Sequence, residues 1–152
     1  MTSQPEIRVS RFRSDEAGRV TADAMQAWHR EGLLVIEDFA SLDQCRQLIS
    51  AADALVENFD EEELAAIFST TSQQHAASEY FETSGDKIRC FFEEGAFNDK
   101  GKLVVPKSRA INKIGHALHD LNPVFVRFSY QPRLANLVAQ LGISKPQWLQ
   151  SM

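Results

Sequence analysis

Apolar side chains recur at helical spacing in two stretches near the start of the chain. Thr21 is suited to cap a helix that runs to about Glu31, and Gly32 suits its C-terminal end. Residues 33–36 form a short apolar run that predicts a buried strand. Ser41 then begins a capping box for a longer amphipathic helix. The apolar positions of that second helix are Leu42, Cys45, Leu48, Ile49, Ala52, Leu55, Val56 and Phe59.

Alternating apolar positions farther along the chain predict a β-hairpin. Residues 88–92 alternate between two faces, with Cys90 on the inward face, so we expect that thiol to be buried and unreactive. The turn chemistry of residues 98–101 would bring the chain back into a second strand at residues 103–105. The acidic and polar residues 60–80, which precede the hairpin, predict a weakly structured excursion that could act as a flap.

A third helix is predicted from Ser108 to about Asp120. Its buried stripe consists of Ile111, Ile114, Leu118 and Leu121. His116 and His119 would lie three residues apart on the opposite face, where they could contact one metal ion. The more ordinary interpretation is a polar helix face packed near another part of the protein. Residues 123–141 predict two further helices, each opened by a proline.

Composition excludes several classes of protein. The chain has 152 residues, of which 43% are hydrophobic and 24% charged, as expected for one globular domain. It contains no apolar run near the roughly 18 residues that a membrane span needs. Residues 1–14 lack the apolar stretch of a secretory signal. Two cysteines, Cys45 and Cys90, do not make a disulfide framework, so we expect a reducing, cytoplasmic setting.

The net charge of -5 conceals an uneven distribution along the chain. Residues 1–76 hold 14 acids and 6 bases, whereas residues 77–152 hold 7 acids and 10 bases. A basic half favours an anionic ligand such as a carboxylate, a phosphate or a coenzyme A tail. The more ordinary interpretation is a solvated face whose acidic partners lie elsewhere. A nucleic-acid-binding module in residues 100–145 is a weaker alternative, because the whole chain is acidic.

The two ends of the chain show no clear periodicity. Residues 1–20 are polar and predict a flexible N-terminal arm. Residues 147–152 have the character of a strand that has only begun. Because an unpaired strand edge recruits another strand, we expect poor solubility or a strand-mediated oligomer.

Sequence motifs in five segments are shared with a known family. The most specific segment is Ile111 to His119, which reads Ile-Asn-Lys-Ile-Gly-His-Ala-Leu-His. The other segments are residues 31–37, 84–89, 91–97 and 150–152. In these segments the chain resembles the phytanoyl-CoA dioxygenase family, especially its domain-containing branch. The resemblance covers about residues 21–152, which correspond to the first half of the family's domain.

The resemblance implies a fold, a reaction class and two site residues. Members of the family are Fe(II)- and 2-oxoglutarate-dependent oxygenases on a double-stranded β-helix. The implied fold is therefore α+β, the helix-rich N-terminal part of a jelly-roll or cupin-like oxygenase whose barrel is incomplete here. The implied cofactors are Fe(II) and 2-oxoglutarate, and the implied reaction is hydroxylation of a small organic or acyl substrate. Matched position by position, Lys113 lies near 2-oxoglutarate and Met152 lines the same pocket.

Iron ligands of the family pattern do not occur in this sequence. The family holds its iron with an H-x-D pair and a distant His. No H-x-D occurs in the chain, since His119 and Asp120 are adjacent. We therefore expect residues 21–152 to be an N-terminal portion truncated before the metal motif and inactive alone, without catalytic or metal-binding residues of its own. The alternative is a non-catalytic binding or regulatory protein that reuses these elements. We expect no nucleic-acid or membrane partner.

Overall fold

The computed structural model describes residues 9–60, 79–98 and 100–152. In chain order its elements are β1 (Arg11–Arg13), α1 (Ala22–Glu31), β2 (Val35–Glu37), α2 (Leu42–Glu57), β3 (Ile88–Phe92), α3 (Lys107–Ala110), β4 (Ile111–His116), α4 (Leu118–Leu121), α5 (Pro123–Ser129) and α6 (Pro132–Gln140). The chain divides into two compact units, one of Met1–Leu42 with Tyr130–Gln147 and the other of Asp43–Ser129 with Trp148–Met152.

Helix α1 has both of the caps that the sequence predicts. The Thr21 side chain accepts a hydrogen bond from the Ala24 N–H at 3.4 Å, which satisfies one of the free donors at the helix start. At the other end Gly32 adopts a left-handed conformation with φ of 71°. Its N–H donates to the Trp28 carbonyl oxygen, so the helix ends where predicted.

The first unit has a small hydrophobic core. Val20, Ala24 and Leu137 are its buried members, and Phe12 of β1 packs against them. Strands β1 and β2 pair in parallel, with Phe12 opposite Ile36. Residues 9–20 therefore contribute a strand and a core side chain to this unit, although the sequence predicts a loose arm over residues 1–20. The rest of that predicted arm lies outside the described residues.

Helix α2 forms as predicted, but its apolar stripe is not uniformly covered. Leu42 is 75% exposed and Ile49 is 60% exposed, while Cys45 is half-buried. The predicted flap at residues 60–80 falls almost entirely outside the described residues. The short part that is described, residues 79–82, is helical.

Strands β3 and β4 form an antiparallel pair, and two predictions about this region were wrong. Residues 111–116 are a strand, not the middle of a helix, and only the short helices α3 and α4 flank them. Strand β3 itself is confirmed, but its partner is β4 and not residues 103–105. The predicted return of the chain survives as a single bridge between Phe97 and Leu103.

Helices α5 and α6 begin at prolines, as predicted. The predicted strand at residues 147–152 is reduced to Ser151, which bridges to His116 and Ala117. Both sheets in the described part of the chain are two-stranded, and no barrel closes there. The mixture of helices and small sheets agrees with an α+β class. Among the described residues, no helix is long and apolar enough to cross a membrane.

Candidate functional site

Lys113 is held by two aromatic rings. Because β3 and β4 pair antiparallel, Lys113 lies directly opposite Phe91. Its Nζ is 4.9 Å from the centroid of the Phe91 ring and 4.9 Å from that of Phe81. Aromatic faces attract a cation without neutralising it. The side chain is half-buried, and none of the ion pairs among the described residues includes it. Within the part of the chain that the structure describes, no carboxylate occupies its N–H groups, which can therefore meet an anion.

Arg89, the neighbouring cation on β3, is occupied by structural contacts. Its guanidinium lies 4.3 Å from the centroid of the Tyr80 ring. It also donates to the Thr83 hydroxyl at 2.8 Å and to the Tyr80 carbonyl oxygen. These bonds fasten the segment before β3 to the strand. Of these two cations, Lys113 is the one suited to bind a ligand.

His116 is a buried member of the same cluster. Its Nδ1 lies 2.8 Å from the Ser84 Oγ, and the Ser84 hydroxyl donates to the Phe81 carbonyl oxygen. Since a serine hydroxyl has one proton, Ser84 accepts from His116, and the network assigns a proton to Nδ1. The centroid of the imidazole ring also lies 5.4 Å from that of the Phe81 ring and 5.2 Å from that of the Phe91 ring. His116 thus buttresses the rings that hold Lys113.

Met152 lies beside the strand that carries Lys113. A Cβ built on Gly115 would come 3.0 Å from the Met152 Cγ, so the methionine side chain passes directly over that glycine. Lys113 and Gly115 are two residues apart on β4 and share one face. Met152 remains 63% exposed. Of the two site residues predicted from the sequence, Lys113 thus lies on β4 and Met152 packs beside that strand over Gly115.

His119 is buried in different surroundings from His116. Its Nδ1 lies 2.8 Å from the Ser151 Oγ, and its Nε2 lies 3.4 Å from the Asp120 carboxylate. The proposed helix face shared by the two histidines was wrong, because His116 ends β4 and His119 belongs to α4. No group of three His, Cys, Asp or Glu side chains able to hold a metal occurs in the part of the chain described. The described residues do not fit a ferrous ion.

Other members of the cluster were missed from the sequence. Ser84 was noted as the first residue of the shared segment 84–89, and Phe81 was given no role. A signal for β4 was nevertheless present, because Gly115 would sit inside the predicted helix at a cost of about 1 kcal/mol relative to alanine. Reading residues 111–116 as a strand would have put Lys113 and Gly115 on one face.

Most of the chain matches a single known protein family. The model of a family of cupin-like oxygenases, which generally use Fe(II) and 2-oxoglutarate, matches residues 28–152. That family is phytanoyl-CoA dioxygenase (PhyH), and the chain belongs to it. The resemblance seen in the sequence is thereby confirmed.

Curated relatives from distant organisms support this assignment. Phytanoyl-CoA dioxygenase of Arabidopsis thaliana is 45% identical over 135 residues, which are 89% of this chain and 47% of the relative. The phytanoyl-CoA dioxygenase domain-containing protein 1 of Danio rerio is 41% identical over 138 residues, 88% of this chain and 47% of the relative. The Dictyostelium discoideum homologue of that protein is 40% identical over 125 residues, 82% and 44% of the two chains. The chain spans about half the length of these relatives.

Proposed function

We propose that residues 21–152 form part of an Fe(II)- and 2-oxoglutarate-dependent dioxygenase domain, and that Lys113 and Met152 line its 2-oxoglutarate pocket. The substrate class we propose is a small organic or acyl compound. The observation that carries the proposal is the Lys113 ammonium, which two aromatic rings hold in place while no carboxylate among the described residues pairs with it. Family membership supplies the reaction class.

The two side chains suit the two parts of the 2-oxoglutarate molecule. An ammonium provides three donors and a full charge for a carboxylate. Charge-assisted hydrogen bonds of this kind are roughly twice as strong as neutral ones. The Met152 thioether is flexible and polarisable, so it can pack against the methylene carbons. The aromatic contacts of Lys113 reduce the freedom that the side chain loses on binding.

The iron-dependent part of the reaction needs groups beyond these. In this family Fe(II), when bound, would activate O₂, which is the oxidant, and 2-oxoglutarate would supply two of the electrons that reduce it while a substrate C–H bond is hydroxylated. The buried His116 and His119 imidazoles are each bonded to a serine, and the 152 residues contain no H-x-D. We therefore propose that residues 1–152, taken alone, bind the cosubstrate without turning it over. An oxygen-uptake assay with Fe(II) and 2-oxoglutarate checks this, and succinate formation at an enzyme's rate would contradict it.

A titration with 2-oxoglutarate, followed by NMR chemical shifts, tests the pocket directly. We expect an affinity on the order of 1 mM for a site built on one lysine. Lys113→Met keeps the unbranched stem and removes the charge, so it should weaken binding by at least about tenfold. Lys145→Met, at an exposed lysine elsewhere, is the matched control. The dimethyl ester of 2-oxoglutarate should not bind. Equal affinities for the Lys113 variant and the unaltered chain would refute the assignment.

A non-catalytic binding or regulatory protein is the second candidate function, because the described residues do not fit iron. Both candidate functions include a 2-oxoglutarate pocket. They differ in whether a longer chain that carries the iron ligands consumes oxygen. If a longer chain that includes an H-x-D motif forms succinate, the oxygenase proposal is supported. If that chain binds 2-oxoglutarate and stays inactive, the binding protein is favoured.

Residues 147–152 are also the basis for a proposed strand-mediated oligomer. Trp148, Leu149 and Met152 expose apolar surface in this segment. Exposed apolar side chains on an extended edge favour pairing with another strand. Size-exclusion chromatography with light scattering should show a dimer or larger species, and a stable monomer would argue against it.

Both cysteines are free, in keeping with the reducing cytoplasmic setting that we propose.

A further inference from the structure

Ser151 fastens the segment Trp148–Met152 to the end of β4. Its backbone N–H donates to the His116 carbonyl oxygen at 2.8 Å. Its hydroxyl accepts from the His119 backbone N–H at 3.0 Å and lies 2.8 Å from the His119 Nδ1. The same hydroxyl is 3.3 Å from the His116 carbonyl oxygen. One short side chain therefore joins the segment to two successive elements, β4 and α4.

The chemistry of a hydroxyl is needed for this set of bonds. The His119 backbone N–H can only donate, so the Ser151 oxygen must accept it. The single hydroxyl proton then goes either to the His119 Nδ1 or to the His116 carbonyl oxygen. Alanine can do neither, whereas threonine retains both functions. Loss of the hydroxyl would leave the backbone bond and weaker contacts, such as that of the Trp148 ring with the His119 imidazole, to hold the segment.

Gly115 provides the space into which Met152 fits. A Cβ at this position would lie 3.0 Å from the Met152 Cγ and 3.4 Å from the Ser151 carbonyl oxygen. Such a contact is tighter than usual, so the methionine side chain has to move by a few tenths of an ångström. Gly115 does not have a positive φ, so the backbone conformation itself tolerates alanine. The glycine therefore leaves room for the methionine side chain that passes over it.

We propose that Ser151 and Gly115 are positioning residues that hold Met152 against the Lys113 face of β4 and so set the affinity of the chain for 2-oxoglutarate. The affinity part of this inference rests on the proposed function, while the placement of Met152 rests on the structure alone. Neither residue touches the ligand in this proposal. Ser151 acts through His116 and His119, and Gly115 acts by being small.

Methyl NMR of selectively labelled methionine reports on the placement. The chain has three methionines, so three methyl signals are expected, and Met152→Leu assigns the one from Met152. In the unaltered chain the Met152 methyl signal should show a nuclear Overhauser effect to the Gly115 Hα atoms. Ser151→Ala should abolish the contact and move the signal towards its position in an unfolded chain, while Ser151→Thr should retain both. Gly115→Ala should also displace the signal.

Binding of 2-oxoglutarate to the same proteins tests the effect on affinity. Loss of the hydroxyl in Ser151→Ala should weaken binding about threefold to tenfold, the range that one hydrogen bond supports. Ser151→Thr should restore the affinity. If Ser151→Ala and the unaltered chain have the same melting temperature, a general loss of stability does not explain the weaker binding of Ser151→Ala. Gly85→Ala is the matched glycine control, since a Cβ there meets nothing within 4 Å.

Different outcomes separate this inference from the proposed function. If Ser151→Ala leaves the Met152 methyl signal and its contact with Gly115 unchanged, the positioning role is refuted, and the result of the 2-oxoglutarate titration does not alter that. If the signal moves but the affinity of Ser151→Ala equals that of the unaltered chain, Met152 placement does not set affinity and the inference fails. If the unaltered chain does not bind 2-oxoglutarate, the proposed pocket fails and the affinity part falls with it, while the methyl signals still decide the placement.

Discussion

Removing the Ser84 hydroxyl should destabilise the second unit measurably, because two buried groups depend on it. The Ser84 side chain is fully buried. It donates to the Phe81 carbonyl oxygen and accepts from the His116 Nδ1 at 2.8 Å. Ser84→Ala removes one oxygen atom, so the void is small and the main loss is in hydrogen bonding. The variant leaves the buried His116 Nδ1 without the Ser84 oxygen as its hydrogen-bond partner.

The expected size of this effect follows from the two lost bonds. An unsatisfied buried polar group costs about 1–3 kcal/mol, whereas a satisfied pair contributes only about 1 kcal/mol net. We therefore expect Ser84→Ala to lower the free energy of unfolding by about 2 kcal/mol. For a chain of this length that corresponds to a fall of roughly 4–8 °C in the melting temperature.

Urea and thermal unfolding of a double-mutant cycle measure this coupling. His116→Phe keeps a ring against Phe81 and Phe91 and removes the stranded donor. The double variant Ser84→Ala with His116→Phe should consequently lose less stability than the sum of the two single variants. Ser50→Ala, at an exposed serine of α2, serves as the control and should change stability by less than about 0.5 kcal/mol. Additive losses, or a Ser84 variant as stable as the control, would refute the reasoning.

Two further predictions concern titrating groups. Burial raises the pKa of the Cys90 thiol, so at about pH 8 it should react with a disulfide reagent more slowly than the half-buried Cys45. The reaction should then have a fast phase from Cys45 and a slow phase from Cys90. Loss of the fast phase in Cys90→Ser would contradict this. Hydrogen bonds from the Arg19 backbone and side chain lower the pKa of Asp15. Its stabilising effect should be complete above the ordinary Asp value of about 3.9 and fade as the pH falls through the lowered pKa. The stability gap between Asp15→Asn and the unaltered chain in urea should therefore shrink on acidification, and a gap independent of pH would exclude this linkage.

Elements with local causes could be predicted from the sequence alone. Helix α1 was placed correctly because its two determinants, the Thr21 cap and the left-handed Gly32, lie within a few residues of the helix they bound. Strand β3 was placed by its own alternation of side chains. The family, and with it the assignment of Lys113 and Met152, came from motif resemblance. Spacing and composition alone would have left Lys113 as an ordinary surface lysine.

Tertiary structure decided β4 and the cluster around it. The isoleucines at positions 111 and 114 are three residues apart, which favours a helix stripe, and Gly115 was the local signal against a helix. Pairing with β3 resolved the choice, because the register that joins Ile88 to His116 links residues far apart in sequence. The same pairing set Phe91 opposite Lys113 and brought Ser84 to the buried imidazole. Hydrogen-bond partners across such distances depend on how the chain packs, so only the folded structure could reveal that Lys113 has an aromatic clamp.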